Sequence, residues 1–207
     1  MVKIKICGIT SPEDLKLSVD AGADAVGFVF YPSSPRYVKP ESVADWLSLV
    51  PAFVSTVGVT VDLPAEEIDR ILSVCPLDYL QFHGKEPLSL CQRYGRKAIK
   101  AFRVQNRSSL TEIRAQYAGL HTILLDAYKQ GVPGGTGQTF NWELAGEAGS
   151  FSRIILSGGL RPENVRQALN QARPYGVDVS TGVEECPGRK SPQKLERFCR
   201  AAGSWKG

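Results

Sequence analysis

Short apolar runs rich in β-branched residues recur along the chain at even spacing, and between them apolar residues fall at helical intervals. The runs predict strands at about 3–7, 24–29, 53–59, 78–82, 97–102, 121–125, 152–156 and 176–180. Val43, Trp46, Leu47 and Val50 mark one intervening helix, Val165, Ala168, Leu169 and Ala172 another, and Leu195, Phe198, Cys199 and Ala202 the last. Pro12, Pro40, Pro64, Pro87, Pro162 and Pro192 each head a predicted helix, where a missing N–H costs nothing. Ser11, Asp62 and Ser191 lie beside them as candidate caps. Eight strand–helix units without a linker predict an α/β chain, residues 1–207, forming a single-domain (β/α)8 TIM barrel near the minimal size of that fold. The competing open, doubly wound sheet would want GxGxxG at the first βα turn, and Cys7-Gly8-Ile9-Thr10 does not supply it.

Strand parity sharpens the expectation. If Cys7 points into the barrel, so does Lys5, because side chains alternate with period two. A buried lysine needs a partner. Asp178 is the only acid on the eighth predicted strand and shares a face with Ser180. Strands one and eight adjoin only if the barrel closes, so the sequence predicts an internal Lys5–Asp178 ion pair.

Composition narrows the class of partner. With 43% hydrophobic and 22% charged residues the chain can bury a sizeable core. The net charge of +4 comes from scattered basic residues, which suits an anionic small molecule and does not favour nucleic acid. Five cysteines, with no CxxC pair and no zinc-like spacing to His83 or His121, speak against a disulfide framework or metal site and for a reducing compartment. The charged strand Met1–Lys5 is unlike a signal peptide, and no apolar run reaches membrane-spanning length. These features predict a soluble cytoplasmic protein with no membrane partner.

In a barrel, the carboxyl ends of the strands converge on one face. Those ends carry Cys7, Ser34-Pro35-Arg36, Gln81-Phe82-His83-Gly84, Asp126, Ser157-Gly158-Gly159 and Ser180-Thr181-Gly182. Alone, Cys7 reads as a small buried hydrophobe; among these neighbours it reads as a nucleophile or base. Gly158, Gly159, Ser180, Thr181 and Gly182 offer hydroxyls and unhindered backbone N–H groups for a phosphate. Arg36 is either a solvated surface charge or a site residue that holds a carboxylate bidentately, and His83 is either a site residue or a hydrogen-bonded core histidine. Asp126, after two leucines, would be expensive to bury without a role. The loop from Lys129 to Phe140, with Gly134, Gly135, Thr136 and Gly137, has the composition of a lid over bound substrate.

Lys5-Ile6-Cys7-Gly8-Ile9-Thr10, Gly27-Phe28-Val29-Phe30, Ser34-Pro35-Arg36, Gln81-Phe82-His83-Gly84, Leu125-Asp126 and Gly134-Gly135-Thr136-Gly137 together resemble phosphoribosylanthranilate isomerase of tryptophan biosynthesis. Ser157-Gly158-Gly159-Leu160, Pro162-Glu163-Asn164-Val165 and Asp178-Val179-Ser180-Thr181-Gly182-Val183-Glu184 extend the resemblance to essentially the whole chain. It implies a (β/α)8 barrel and a cofactor-free Amadori rearrangement of a phosphorylated small-molecule substrate. Asp126 would be the general acid, Cys7 the general base, Arg36 the anchor for the anthranilate carboxylate, and the last two strand-end loops the phosphate site. Lys5, on the same strand face as Cys7, would favour its thiolate. Thr181 stands where a second serine is common in the family, and Thr60 where an aromatic usually follows the second valine of strand three. The related isomerase of histidine biosynthesis would carry an aspartate base on strand one and a half-chain repeat, neither of which is present. A non-catalytic phosphate-binding barrel would not need both acid and base. Cys75, Cys91, Cys186 and Cys199 read as structural, and Phe53 and Trp205 leave monomer and homodimer both open.

Overall fold

The computed structural model describes residues 1–104, 106–117, 119–126 and 142–205. Eight strands, β1 (Lys3–Cys7), β2 (Ala25–Val29), β3 (Ser55–Thr60), β4 (Tyr79–Phe82), β5 (Ala98–Arg103), β6 (Thr122–Asp126), β7 (Arg153–Ser157) and β8 (Gly176–Val179), each pair with the next, all parallel. β8 returns to β1 and closes the barrel, with Lys5 opposite Asp178 in the register. Helices α1 (Pro12–Asp20), α2 (Pro40–Trp46), α3 (Ala65–Val74), α4 (Leu88–Arg93), α5 (Arg107–Tyr117), α6 (Trp142–Ala148), α7 (Val165–Ala172) and α8 (Pro192–Gly203) alternate with them. Beyond the expected units, a small antiparallel hairpin, β9 (Glu184–Cys186) and β10 (Arg189–Lys190), precedes α8.

Parallel strands covered by helices are buried on both faces, which is why their sequence runs were nearly continuous. Outward-facing Ile6, Phe28, Leu80, Phe82, Leu125, Leu156 and Val177 pack in one large core with Leu15, Ile68, Val165, Leu195 and Phe198 of the helices. Inside the barrel a separate small apolar cluster, Val57, Ile99, Ala101, Leu124 and Ile155, lies beneath the strand ends.

The helix starts follow the expected signals with three adjustments. Ser11 and Ser191 cap α1 and α8 by accepting the N–H of Asp14 and Lys194, with Pro12 and Pro192 in the first turn. Pro64 and Pro87 are themselves the cap residues of α3 and α4, and Pro162 lies in the turn before α7, whose cap is Asn164. Asp62 does not cap α3; its backbone turns to a φ of 52° and its carboxylate accepts the Lys85 N–H instead. Trp205 folds back on α7, donating Nε1–H to Asn170, while Phe53 stands fully exposed. Among the described residues no helix is long and apolar enough to cross a membrane.

Candidate active site

Cys7, Arg36, His83, Asp126, Gly158, Gly159, Ser180, Thr181 and Gly182 all lie at or just beyond the carboxyl ends of strands, on one face of the barrel. The predicted lid, with Gly134, Gly135 and Thr136, lies outside the described residues.

The predicted ion pair is present. Lys5 Nζ lies 2.9 Å from Asp178 Oδ1, both side chains being buried inside the barrel. Lys5 donates a second hydrogen bond to Gln81 Oε1 at 2.9 Å and contacts the Cys7 side chain, while Ser157 Oγ donates to the other Asp178 oxygen. Room for this cluster comes from Gly27 on β2: a Cβ there would stand 2.9 Å from Cys7 Sγ and 3.2 Å from Lys5 Nζ. Burial pulls the Lys5 ammonium down, but Asp178 and Cys7 together outweigh it and hold its pKa above the ordinary lysine value. For Cys7 the balance falls the other way. Burial pushes the thiol up and outweighs the pull of Lys5, so the thiolate is less favoured than the sequence led us to expect.

Arg36 was expected to hold a substrate carboxylate bidentately. Its Nε and Nη2 instead donate to Glu184 Oε1 and Oε2 at 2.7 and 2.6 Å. The arginine lies across Gly8, where a Cβ would meet its Cδ at 2.5 Å. Two of five guanidinium N–H groups are used, so the end-on Nη1–Nη2 edge remains for an anion. Glu184 also accepts from Lys190 Nζ at 3.0 Å, and Lys190 in turn donates to the Cys7 carbonyl at 2.6 Å. Burial pushes the Glu184 carboxyl up, but Arg36 and Lys190 outweigh it and lower its pKa overall. Burial lowers Lys190 against the attraction of Glu184. Neither Glu184 nor Lys190 was assigned a role from sequence. Two- and three-residue strands are too short to show alternation, so no pattern announced the hairpin that delivers them.

On the opposite side, His83 Nδ1 lies 3.0 Å from Gln81 Nε2, and His83 Nε2 lies 3.6 Å from Asp126 Oδ2. Gln81 is fully buried. Its inward orientation was legible in principle, since it stands two residues from His83 on the same strand face.

The glycine loops adopt backbone that side chains resist: φ is 89° at Gly158 and 64° at Gly159. An added Cβ at Gly159 would meet open space, whereas at Gly182 it would lie 1.9 Å from the Leu160 carbonyl oxygen, so the two loops touch. Asn164 ties the first loop by donating to the Gly159 carbonyl and accepting the Arg161 N–H. α7 begins only at Val165, so the glycines do not open that helix directly; the turn Thr181–Val183 follows Ser180 immediately. Among the described residues no three His, Cys, Asp or Glu side chains gather closely enough to hold a metal ion.

Comparison with known proteins agrees with this geometry. The model of the family described as N-(5'phosphoribosyl)anthranilate (PRA) isomerase matches residues 4–201. The N-(5'-phosphoribosyl)anthranilate isomerase of Geobacter sulfurreducens is 49% identical over 205 residues, covering 99% of this chain and all of that protein. The crystal structure of phosphoribosyl anthranilate isomerase from Thermotoga maritima superposes with a TM-score of 0.91 at 43% identity, covering 99% of this chain and all of that one. A further structure, of the isomerase in complex with reduced 1-(o-carboxyphenylamino)-1-deoxyribulose 5-phosphate, superposes at 0.87 with 41% identity over 99% of this chain and all of its own. With a match running from the first strand into the last helix, and relatives covered end to end, the chain belongs to the N-(5'-phosphoribosyl)anthranilate isomerase family.

Proposed function

We propose that the whole chain acts as one catalytic unit in the cytoplasm, where its five free thiols stay reduced. Its reaction is the family's, the isomerisation of N-(5'-phosphoribosyl)anthranilate in tryptophan biosynthesis. Asp126 gives its proton to the furanose ring oxygen. The C1–O bond breaks as the anthranilate nitrogen lone pair forms the C1=N bond of a protonated Schiff base. Cys7, as thiolate, takes the proton from C2, and that electron pair forms the C1=C2 bond of an enolamine. Loss of the enol proton and protonation of C1 give the 2-ketone, so the step is an isomerisation with no external oxidant or reductant.

One observation carries this reading: a thiol touched by a buried ammonium and a carboxyl facing an imidazole stand at the same barrel mouth, on β1 and β6, with β7 and β8 between them. An acid and a base so separated can work on the ring oxygen and the C2 hydrogen of one sugar. Arg36 holds the anthranilate carboxylate through its end-on edge. Gly158, Gly159, Ser180, Thr181 and Gly182 hold the phosphate from the intervening side, while Gly134, Gly135 and Thr136, also expected to bind substrate, lie outside the described residues.

The test follows the loss of anthranilate fluorescence from substrate generated in a coupled assay. Cys7→Ser and Asp126→Asn should each lower kcat by about 10²–10⁴-fold, the ordinary contribution of a general acid or base. Near-normal kcat in either variant refutes the role assigned to that residue. Because burial raises the Cys7 thiol pKa, kcat should climb as pH rises above neutrality, toward the thiol's titration.

A further inference from the structure

Among the described residues a hydrogen-bonded path runs across the barrel mouth from the base side to His83, whose ring stands 3.6 Å from Asp126 on the acid side. It runs from Asp178 through Lys5 to Gln81 Oε1, then from Gln81 Nε2 to His83 Nδ1, and ends with His83 Nε2 facing Asp126 Oδ2. Its polarity is fixed at one end. An ammonium has three donors and no acceptor, so Gln81 must turn its oxygen to Lys5. The Gln81 NH₂ therefore faces His83, and an NH₂ can only donate. His83 Nδ1 must be the acceptor, which it can be only as an unprotonated nitrogen. A neutral ring with a bare Nδ1 carries its proton on Nε2, and an imidazolium would set N–H against N–H.

We infer that Gln81 is a positioning residue: it transmits the fixed polarity of Lys5 to His83, locking it as the neutral Nε2–H tautomer, so that Asp126 faces a neutral donor and not a cation. This rests on the reading of Asp126 as the general acid. A carboxyl that must carry a proton into the reaction is held ionised by an adjacent positive charge, and the amide withholds that charge. The other charged groups around His83 do not determine its state by themselves. Asp126 on β6 and Asp62 in the loop after β3 favour an imidazolium. Lys5 on β1, through the amide, and Arg103, opposite Asp126 in the β5–β6 register, oppose one. Cys7 and Asp178 are engaged with Lys5, and Glu86, in the loop of His83 itself, is engaged with Lys100.

The direct test is side-chain ¹⁵N NMR of the full chain. There are only two histidines, and His121→Asn assigns them. Wild type at neutral pH should show His83 with a protonated Nε2 and a bare Nδ1. In Gln81→Glu a carboxylate can accept from both Lys5 and Nδ1–H, so the His83 titration should move up by at least one pH unit. At a pH below that new midpoint, kcat should fall about tenfold with KM changed less than threefold, the fall being the one-unit shift read as a tenfold change in proton affinity. In a His83→Asn background the same Gln81→Glu change should cost less kcat than it does in wild type, because no ring is left to charge.

An Nδ1–H tautomer or an imidazolium in neutral wild-type solution overturns the inference, and that spectrum decides even if the variants fold poorly. So does an unmoved His83 titration in well-folded Gln81→Glu. If the tautomer is as expected but Asp126→Asn keeps near-normal kcat, the acid role of Asp126 falls while the Gln81–His83 assignment stands.

Discussion

Two buried lysine–carboxylate pairs sit on opposite sides of the barrel wall. Lys5–Asp178 lies inside it and Lys100–Glu86 between β5 and the loop before α4, with N–O distances of 2.9 and 3.1 Å. Their side chains are almost equally withdrawn from water, and what separates them is where the remaining hydrogen bonds go. Lys100 donates to the carbonyls of Phe82, Gly84 and Ala101, and Glu86 accepts the N–H groups of Asp62 and Gly84. Backbone groups close that nest, and it holds the loop that carries His83. Lys5 and Asp178 spend theirs on Gln81, Cys7 and Ser157, side chains toward the carboxyl ends of β4, β1 and β7. One pair shapes the chain; the other conditions a thiol and an amide.

Removing the cation from each nest should separate the two roles. Lys5→Met gives the largest effect because it acts twice. Leaving Asp178 buried without its cation should cost about 3–5 kcal/mol of stability. Cys7 also loses the attraction that opposes its burial, so its alkylation midpoint should move to higher pH and kcat at neutral pH should fall about 10²-fold, within the range of a weakened general base. An unmoved alkylation midpoint would break the link between Lys5 and Cys7. Lys100→Met should lose a similar 3–5 kcal/mol in urea unfolding, roughly, for the same reason. Its folded fraction, assayed well below the melting temperature, should lose much less kcat than Lys5→Met does, since Lys100 reaches the site only through the loop of His83.

The pH dependence of stability sharpens the contrast more gently. Lys5 has its pKa raised in the folded state, so its contribution is complete below the unfolded lysine value and is lost as pH rises through the raised one. Glu184 has its pKa lowered, so its contribution is present above the ordinary carboxylate value and is lost as pH falls through the lowered one. The stability gap between wild type and Glu184→Gln should therefore narrow on acidification, and that between wild type and Lys5→Met on strong alkalinisation. Urea titrations across pH check both signs.

The contrast also explains what was legible in the sequence. Parity alone placed Lys5 and Asp178 on facing strands, because a period of two is unambiguous and closure brings β1 beside β8. All eight strands could be read because double burial writes continuous apolar runs. The Arg36–Glu184–Lys190 group could not, since it depends on a hairpin of three and two residues, and a residue's identity does not reveal which acid will satisfy an arginine. Nor could the fate of Asp62 be read: a serine or aspartate before a helix pattern signals a cap, but here Gly84 packs so close that a Cβ would meet Asp62 Oδ1 at 2.3 Å. That packing recruits the carboxylate to the Lys85 N–H instead.

The smallest expected effect lies beside the structural nest, at the one buried side-chain polar atom without a hydrogen-bond partner among the described residues. Thr60 ends β3 opposite Phe82, on the outward face beneath the helices, and is wholly buried. Its hydroxyl has no hydrogen-bond partner among the described residues. An unmade hydrogen bond in a buried apolar layer costs about 1–3 kcal/mol of desolvation, and valine has nearly the same shape as threonine without the polar atom. Thr60→Val should therefore stabilise the chain by about 1 kcal/mol, the lower end of that range, because a rotating hydroxyl recovers part of the cost through weak contacts. For a chain of this length that is a rise in melting temperature of about 2–4 °C. The Thr60 carbonyl, which accepts the His83 N–H, is untouched by the change, so kcat should stay as it was. A loss of stability instead would mean that the hydroxyl does have a partner, and that the wall of the barrel is as fully satisfied at Thr60 as it is around Lys100.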